Sequence, residues 1–110
     1  MQIKDIAISV LQDMKAIDLV CLDVGDMTQV ADHMIVACGS SKRHVSSIAE
    51  KLILQAKKNQ YPPLGVEGLD QGDWVCVDLG DVVVHVMMAE TRQLYDLERL
   101  WSTRPDEGNQ

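Results

Sequence analysis

The stretch from Trp74 to Met88 constrains this chain more than any other part of it. Two strand-like runs, Trp74 to Leu79 and Val82 to Met88, are separated only by Gly80-Asp81. A glycine at the first central position suits a two-residue type II′ hairpin turn. With Gly80 and Asp81 as the loop, cross-strand partners have numbers that sum to 161. Val77 then faces Val84 and Val75 faces Val86, on the same side as Leu79 and Val82. Side chains alternate across a strand, so this wholly aliphatic side belongs to the core. The opposite side pairs Asp78 with Val83, Cys76 with His85 and Trp74 with Met87. It is too polar for a core and too apolar for a plain solvent face. Two readings follow. In one, the last helix partly covers this side and His85 bonds a neighbour. In the other, a Trp74–Met87 pair anchors a partner while Asp78 and His85 fix its orientation.

The rest of the chain supplies elements to pack on that hairpin. Ile3, Ile6, Ala7, Val10, Leu11 and Met14 recur at helical spacing, which predicts an amphipathic helix over residues 2–16. Leu19 to Val24 reads as a strand ended by Gly25-Asp26, and His33 to Cys38 as a second. Gly39-Ser40-Ser41 breaks the chain, and either serine can cap the next helix. That helix carries Val45, Ile48, Ala49, Leu52, Ile53 and Ala56 on one stripe and ends before Tyr61-Pro62-Pro63. Leu64-Gly65-Val66-Glu67-Gly68 is at most a short strand between glycines. A final helix is expected from about Glu90 to Trp101, with Leu94, Leu97 and Trp101 on one face, and then a polar tail. The order implies one α/β (α+β) domain over residues 1–102, with a mixed sheet of about five strands flanked by three helices, and a disordered tail over 103–110.

Charge and cysteine usage narrow the function. The 110 residues carry a net charge of −7, which disfavours sequence-independent nucleic-acid binding and favours a basic protein partner. The charge is uneven. Residues 40–60 carry Lys42, Arg43, Lys51, Lys57 and Lys58 against Glu50, a local +4. Residues 73–101 carry Asp73, Asp78, Asp81, Glu90, Asp96 and Glu98 against Arg92 and Arg99, a local −4. Cys21, Cys38 and Cys76 each sit in an apolar strand-like run without metal-ligand spacing. They read as buried, reduced thiols of a reducing compartment. The N-terminus lacks a signal-peptide pattern and no apolar run is long enough to span a membrane. A protein of the cytosol or of an organelle matrix is expected, with the cytoplasmic reading preferred.

No constellation for catalysis emerges. His33, His44 and His85 fall on different elements, none beside a nucleophile. Asp78 and Asp81 lie in a strand and its turn, where side chains diverge, and no third carboxylate follows at metal-binding spacing. Gly39-Ser40-Ser41 before a helix could hold a phosphate and is similar to the opening of nucleotidyltransferases. The carboxylate pair those enzymes need shortly afterwards is replaced by Lys42-Arg43-His44-Val45, and capping alone accounts for the serines. No cofactor or metal is expected.

These residues do resemble a family. Asp32 to Ser41 with Arg43-His44-Val45 is similar to the central motif of the ribosomal silencing factors, the Iojap family. Pro63 to Gly68, Asp73-Trp74-Val75 and Asp78 to Met87 resemble further motifs, and Arg92, Tyr95, Leu97, Glu98, Leu100 and Trp101 its closing helix. The resemblance runs in order from the first helix to Trp101. It implies a nucleotidyltransferase-like fold without the active site. It implies binding to the large ribosomal subunit through a basic protein, the universal large-subunit protein fourteen, so that the small subunit cannot join and translation falls when nutrients are short. A role in large-subunit maturation is the implied alternative, and a homodimer when free is a further possibility. Carried over by position, the candidate docking residues are Trp74, Asp78, Asp81, His85, Met87, Arg92, Tyr95 and Glu98.

Overall fold

The computed structural model describes residues 2–24 and 32–95, with the backbone alone for 93–95. Three helices and five strands follow one another: α1 (Ile3–Asp13), β1 (Ile17–Asp23), β2 (His33–Gly39), α2 (Lys42–Lys58), β3 (Gly65–Glu67), β4 (Trp74–Asp78), β5 (Val82–Met88) and α3 (Ala89–Tyr95). They form a single α+β domain around one mixed sheet of order β1-β2-β5-β4-β3. The hairpin lies where its alternation puts it: Trp74 faces Met87, Cys76 faces His85 and Asp78 faces Val83. Gly80 takes the left-handed φ of +92° that its turn requires. The Leu79 amide closes the loop by donating to the Val82 carbonyl at 2.9 Å.

β2 and β5 run parallel, the one parallel pair among the described strands. The chain leaves β2, crosses through α2 and the β3–β4 pair, and returns beside it. β2 is an interior strand, and Met34 to Cys38 is buried at every position. This explains a continuous apolar run in place of alternation: both faces of the strand are covered.

On one face, α1 and α2 supply Ile3, Ile6, Ala7, Val10 and Leu11, and Val45, Ile48, Ala49, Leu52 and Ala56. These pack on Ile35, Ala37, Val75, Val77, Val82, Val84 and Val86. The other face holds a smaller cluster of Val24, Met34, Val36, Cys38 and Met87, with Leu22 and Trp74 against it.

The junction of β2 and α2 is tightly built. A Cβ on Gly39 would come within 2.7 Å of Val45 Cγ2 and 2.9 Å of its backbone nitrogen, so only glycine permits this approach. The Ser41 side chain accepts the His44 amide proton and caps α2. His44 then ties two helices together. Its Nδ1 accepts the Ser40 amide proton at 2.9 Å, which leaves Nε2 to donate to the Met14 carbonyl at 2.8 Å, just past the end of α1. Gly39-Ser40-Ser41 is thus accounted for by packing, capping and this clamp.

One expectation about the thiols is corrected. Cys38 is buried and Cys76 half-buried, but Cys21 is exposed. β1 is an edge strand, so an apolar run there does not secure burial. The last helix is described only to Tyr95; Leu97, Trp101 and the expected boundary at residue 102 lie outside the described residues.

The open face of the sheet as a candidate docking site

The sheet side away from α1 and α2 is ordered in three rows by strand register. One row runs Leu22, Met34, Val83, Asp78, Gly65 and another Val20, Val36, His85, Cys76, Glu67. The third aligns Ile17, Cys38, Met87 and Trp74. Each row is apolar at β1–β2, and the first two turn polar or acidic toward β3. α3 packs near β2 and β5 at the third row.

Trp74 and His85 form the centre of this face. The Trp74 indole N–H donates to His85 Nδ1 at 2.9 Å, with ring centroids 5.9 Å apart and planes tilted by 52°. The bond requires an unprotonated Nδ1. Burial acts in the same direction and pushes the imidazole down from 6.5 to about 4. His85 is therefore neutral at physiological pH and adds no positive charge.

Cys76 lies beside His85, half-buried. Its thiol is pushed above 9.0 by burial first, then by the carboxylates of Asp78 and Glu67. It is a poor nucleophile, since the thiolate is the reactive form. Asp78 Oδ1 accepts the Gly80 amide proton at 2.9 Å and braces the hairpin turn. Asp81 is exposed at the tip, while its carbonyl accepts the Asp32 and His33 amide protons at 2.8 and 3.1 Å and fastens the turn to β2.

Other candidates lie elsewhere. Met87, expected to pair with Trp74 as an exposed anchor, is fully buried in the smaller cluster. It lies between Cys38 and Trp74 in the sheet, where β5 is flanked on both sides, so it supports the Trp74 side chain instead of presenting its own surface. Arg92 reaches back to β1. Its Nη1 donates to the Asp18 carbonyl at 2.6 Å and lies 3.4 Å from Cys38 Sγ. Asp18 has a left-handed φ of +52° in the irregular part of β1, so Arg92 steadies a bulge. Tyr95 ends α3, without a described side chain, and Glu98 lies outside the described residues.

Sequence reasoning missed Glu67. Its pairing with Cys76 across β3–β4 puts a carboxylate on this face, and three residues of β3 give too short a pattern to reveal that. Together with Gly68, Gln71, Trp74 and Cys76, Glu67 lines a cleft of about 330 Å³. Gly68 has a φ of +82°, and a Cβ there would run into the Trp74 carbonyl. Among the described residues, no cluster of three potential metal ligands exists and no helix is long and apolar enough to cross a membrane.

Fold and face together define a small α+β domain in which α1 and α2 cover one side of a mixed sheet and, among the described residues, only α3 packs against the mixed surface of the other. The chain belongs to the family described as "Ribosomal silencing factor during starvation", whose model matches residues 2–110. It is similar to the ribosomal silencing factor RsfS of Chromobacterium violaceum, 42% identical over 91% of this chain and 82% of that protein. A crystal structure of a protein from Chromobacterium violaceum superposes with a TM-score of 0.88 at 41% identity, covering 94% of this chain and 89% of that one. The mouse protein named "Mitochondrial assembly of ribosomal large subunit protein 1" is 34% identical over 91% of this chain, which matches 45% of its length.

Proposed function

We propose that the protein is a non-catalytic translational repressor. It binds a basic protein of the large ribosomal subunit, the universal large-subunit protein fourteen, through the open sheet face and sterically prevents the small subunit from joining. The observation that carries this reading is the Trp74–His85 pair, a half-buried aromatic centre in a face that becomes acidic toward Asp78 and Glu67. Aromatic anchors surrounded by polar groups are typical of energetic centres in interfaces, and the acidic margin complements a basic target. The family's description supports the ribosomal context.

The test is gradient sedimentation of the purified protein with separated subunits. The protein should travel with large subunits and reduce their pairing with small ones. Trp74→Ala should weaken binding by about 2 kcal/mol, roughly 30-fold, and Asp81→Lys should weaken it by reversing charge at the exposed turn. If both variants co-sediment like the wild type, the face is wrongly assigned. A second reading, an adaptor acting in large-subunit maturation, is favoured by the name of the mouse relative. Tighter binding to precursor particles than to mature subunits would select it. A homodimer formed through the same face when the protein is free would be detected by light scattering and should dissociate on subunit binding.

A further inference from the structure

The cleft beside Trp74 has a chemistry of its own. Its lining combines the Glu67 carboxylate, the Gln71 amide, the half-buried Cys76 thiol and the Trp74 side chain. Asp78 lies in the next row of the sheet, two residues along β4 from Cys76, the cross-strand neighbour of Glu67. His85 brings no compensating charge. Among the described residues, Arg92 is a cation on this side, and it lies at the other end of the third row, against Cys38 and Asp18. At about 330 Å³ the cleft is at the lower end of the roughly 300–1,000 Å³ common for small-molecule sites. It suits one long side chain better than a nucleotide or cofactor. The lining offers negative charge, an amide that can both donate and accept, and an aromatic ring, and it contains no cationic side chain.

We propose that this cleft receives one arginine side chain of the basic partner, with its guanidinium between the Trp74 ring and the Glu67 carboxylate; the proposal rests on the docking role of the open face. Arginine fits better than lysine. Its planar group stacks on an aromatic ring and still directs paired N–H donors at a carboxylate, whereas an ammonium is a compact and strongly hydrated point charge. The indole N–H is already committed to His85, which fixes the ring in place before the partner arrives. Gly68 serves the same cleft: a side chain there would displace the Trp74 backbone. Glu67 is then a residue that selects the partner.

Two measurements on the full chain test this. The first is affinity for purified large subunits at two ionic strengths. Glu67→Gln should bind about 10-fold more weakly at low salt and show a shallower salt dependence, as expected when one charge-assisted contact is lost. Unchanged affinity in Glu67→Gln, with Trp74→Ala still weakened, overturns the arginine seat and leaves the docking face intact. Unchanged affinity in both removes the docking face as well. The second avoids any variant. Titrating the isotopically labelled protein with N-acetyl-arginine amide should move the Gly68, Gln71 and Trp74 indole N–H resonances, and the uncharged citrulline analogue should not. Equal shifts with both compounds, or shifts confined to other residues, overturn the proposal.

Discussion

The two sides of the sheet are made from alternating residues of the same strands, and they differ in almost every physical respect. Under α1 and α2, the side chains are aliphatic and nearly all buried, and two amphipathic helices supply the opposing layer. On the other side five buried residues form a small cluster near β1 and β2, and the surface becomes half-exposed and polar toward β3. The first arrangement is what a hydrophobic core requires. The second retains polar groups that helices would have to desolvate: a carboxylate bracing a turn, a neutral imidazole, a thiol and an indole with its N–H engaged. The contrast teaches that, among the described residues, the larger share of the apolar packing lies on one side of the sheet, while the other keeps polar groups at its surface.

Adjacent residues of β2 offer the most direct way to break this comparison. Ile35 and Val36 are both fully buried, but Ile35 points to the helices and Val36 to the smaller cluster. Ile35→Ala should cost about 3–4 kcal/mol, near the middle of the range for large-to-small changes in a rigid core. Val36→Ala removes less volume, and its cluster is small and bordered by the partly buried Leu22 and Trp74, which can relax, so about 1–2 kcal/mol is expected. Chemical denaturation of both variants measures the difference. Equal losses would show that the smaller cluster is as rigid as the main core.

Acid should attack the open side first. In the folded protein His85 has a pKa near 4, against 6.5 when solvated. The unfolded chain therefore binds the extra proton between these values. Stability linked to His85 is intact above pH 6.5, declines as pH falls through the window, and is fully lost below about 4. The shift corresponds to about 3 kcal/mol at most. Replacing His85 with glutamine should flatten the stability profile between pH 4 and 6.5, which thermal unfolding across that range would register. A profile as steep as that of the wild type would assign the acid sensitivity to other groups.

Much of this architecture is legible in the residues, for identifiable reasons. A two-residue loop fixes register without any tertiary information, so every cross-strand pair in the β4–β5 hairpin follows from Gly80-Asp81. Helical stripes and the serine cap are likewise local signals. The parallel pairing of β2 with β5 is not local, and it decides what lies beneath Trp74. This is why Met87 looked exposed from the hairpin alone and is buried in the fold. Arg92 is legible as a charge in an acidic segment, but its bond to Asp18, 74 residues away, depends on tertiary folding. His44 carries no motif of its own, and its clamp between α1 and α2 depends on how two helix ends meet. Glu67 was hidden because a three-residue strand has no period to read.

The smallest effect concerns a single bond at the centre of the open side. Trp74→Phe keeps an aromatic ring against the smaller cluster and removes the indole N–H that His85 Nδ1 accepts. A neutral hydrogen bond of this kind contributes about 1 kcal/mol, so stability at pH 7 should fall by that amount. The bond also has an electrostatic consequence. It engages the lone pair that protonation at Nδ1 would consume, so it favours the neutral imidazole. Without it, protonation no longer sacrifices a bond, and the His85 pKa should rise toward its solvated value while burial still holds it lower. An NMR titration of the His85 ring resolves the two contributions. A raised pKa in Trp74→Phe would show that the Trp74 bond helps keep His85 neutral. An unchanged pKa would assign the neutrality of His85 to burial alone, the cause that already pushes it down to about 4.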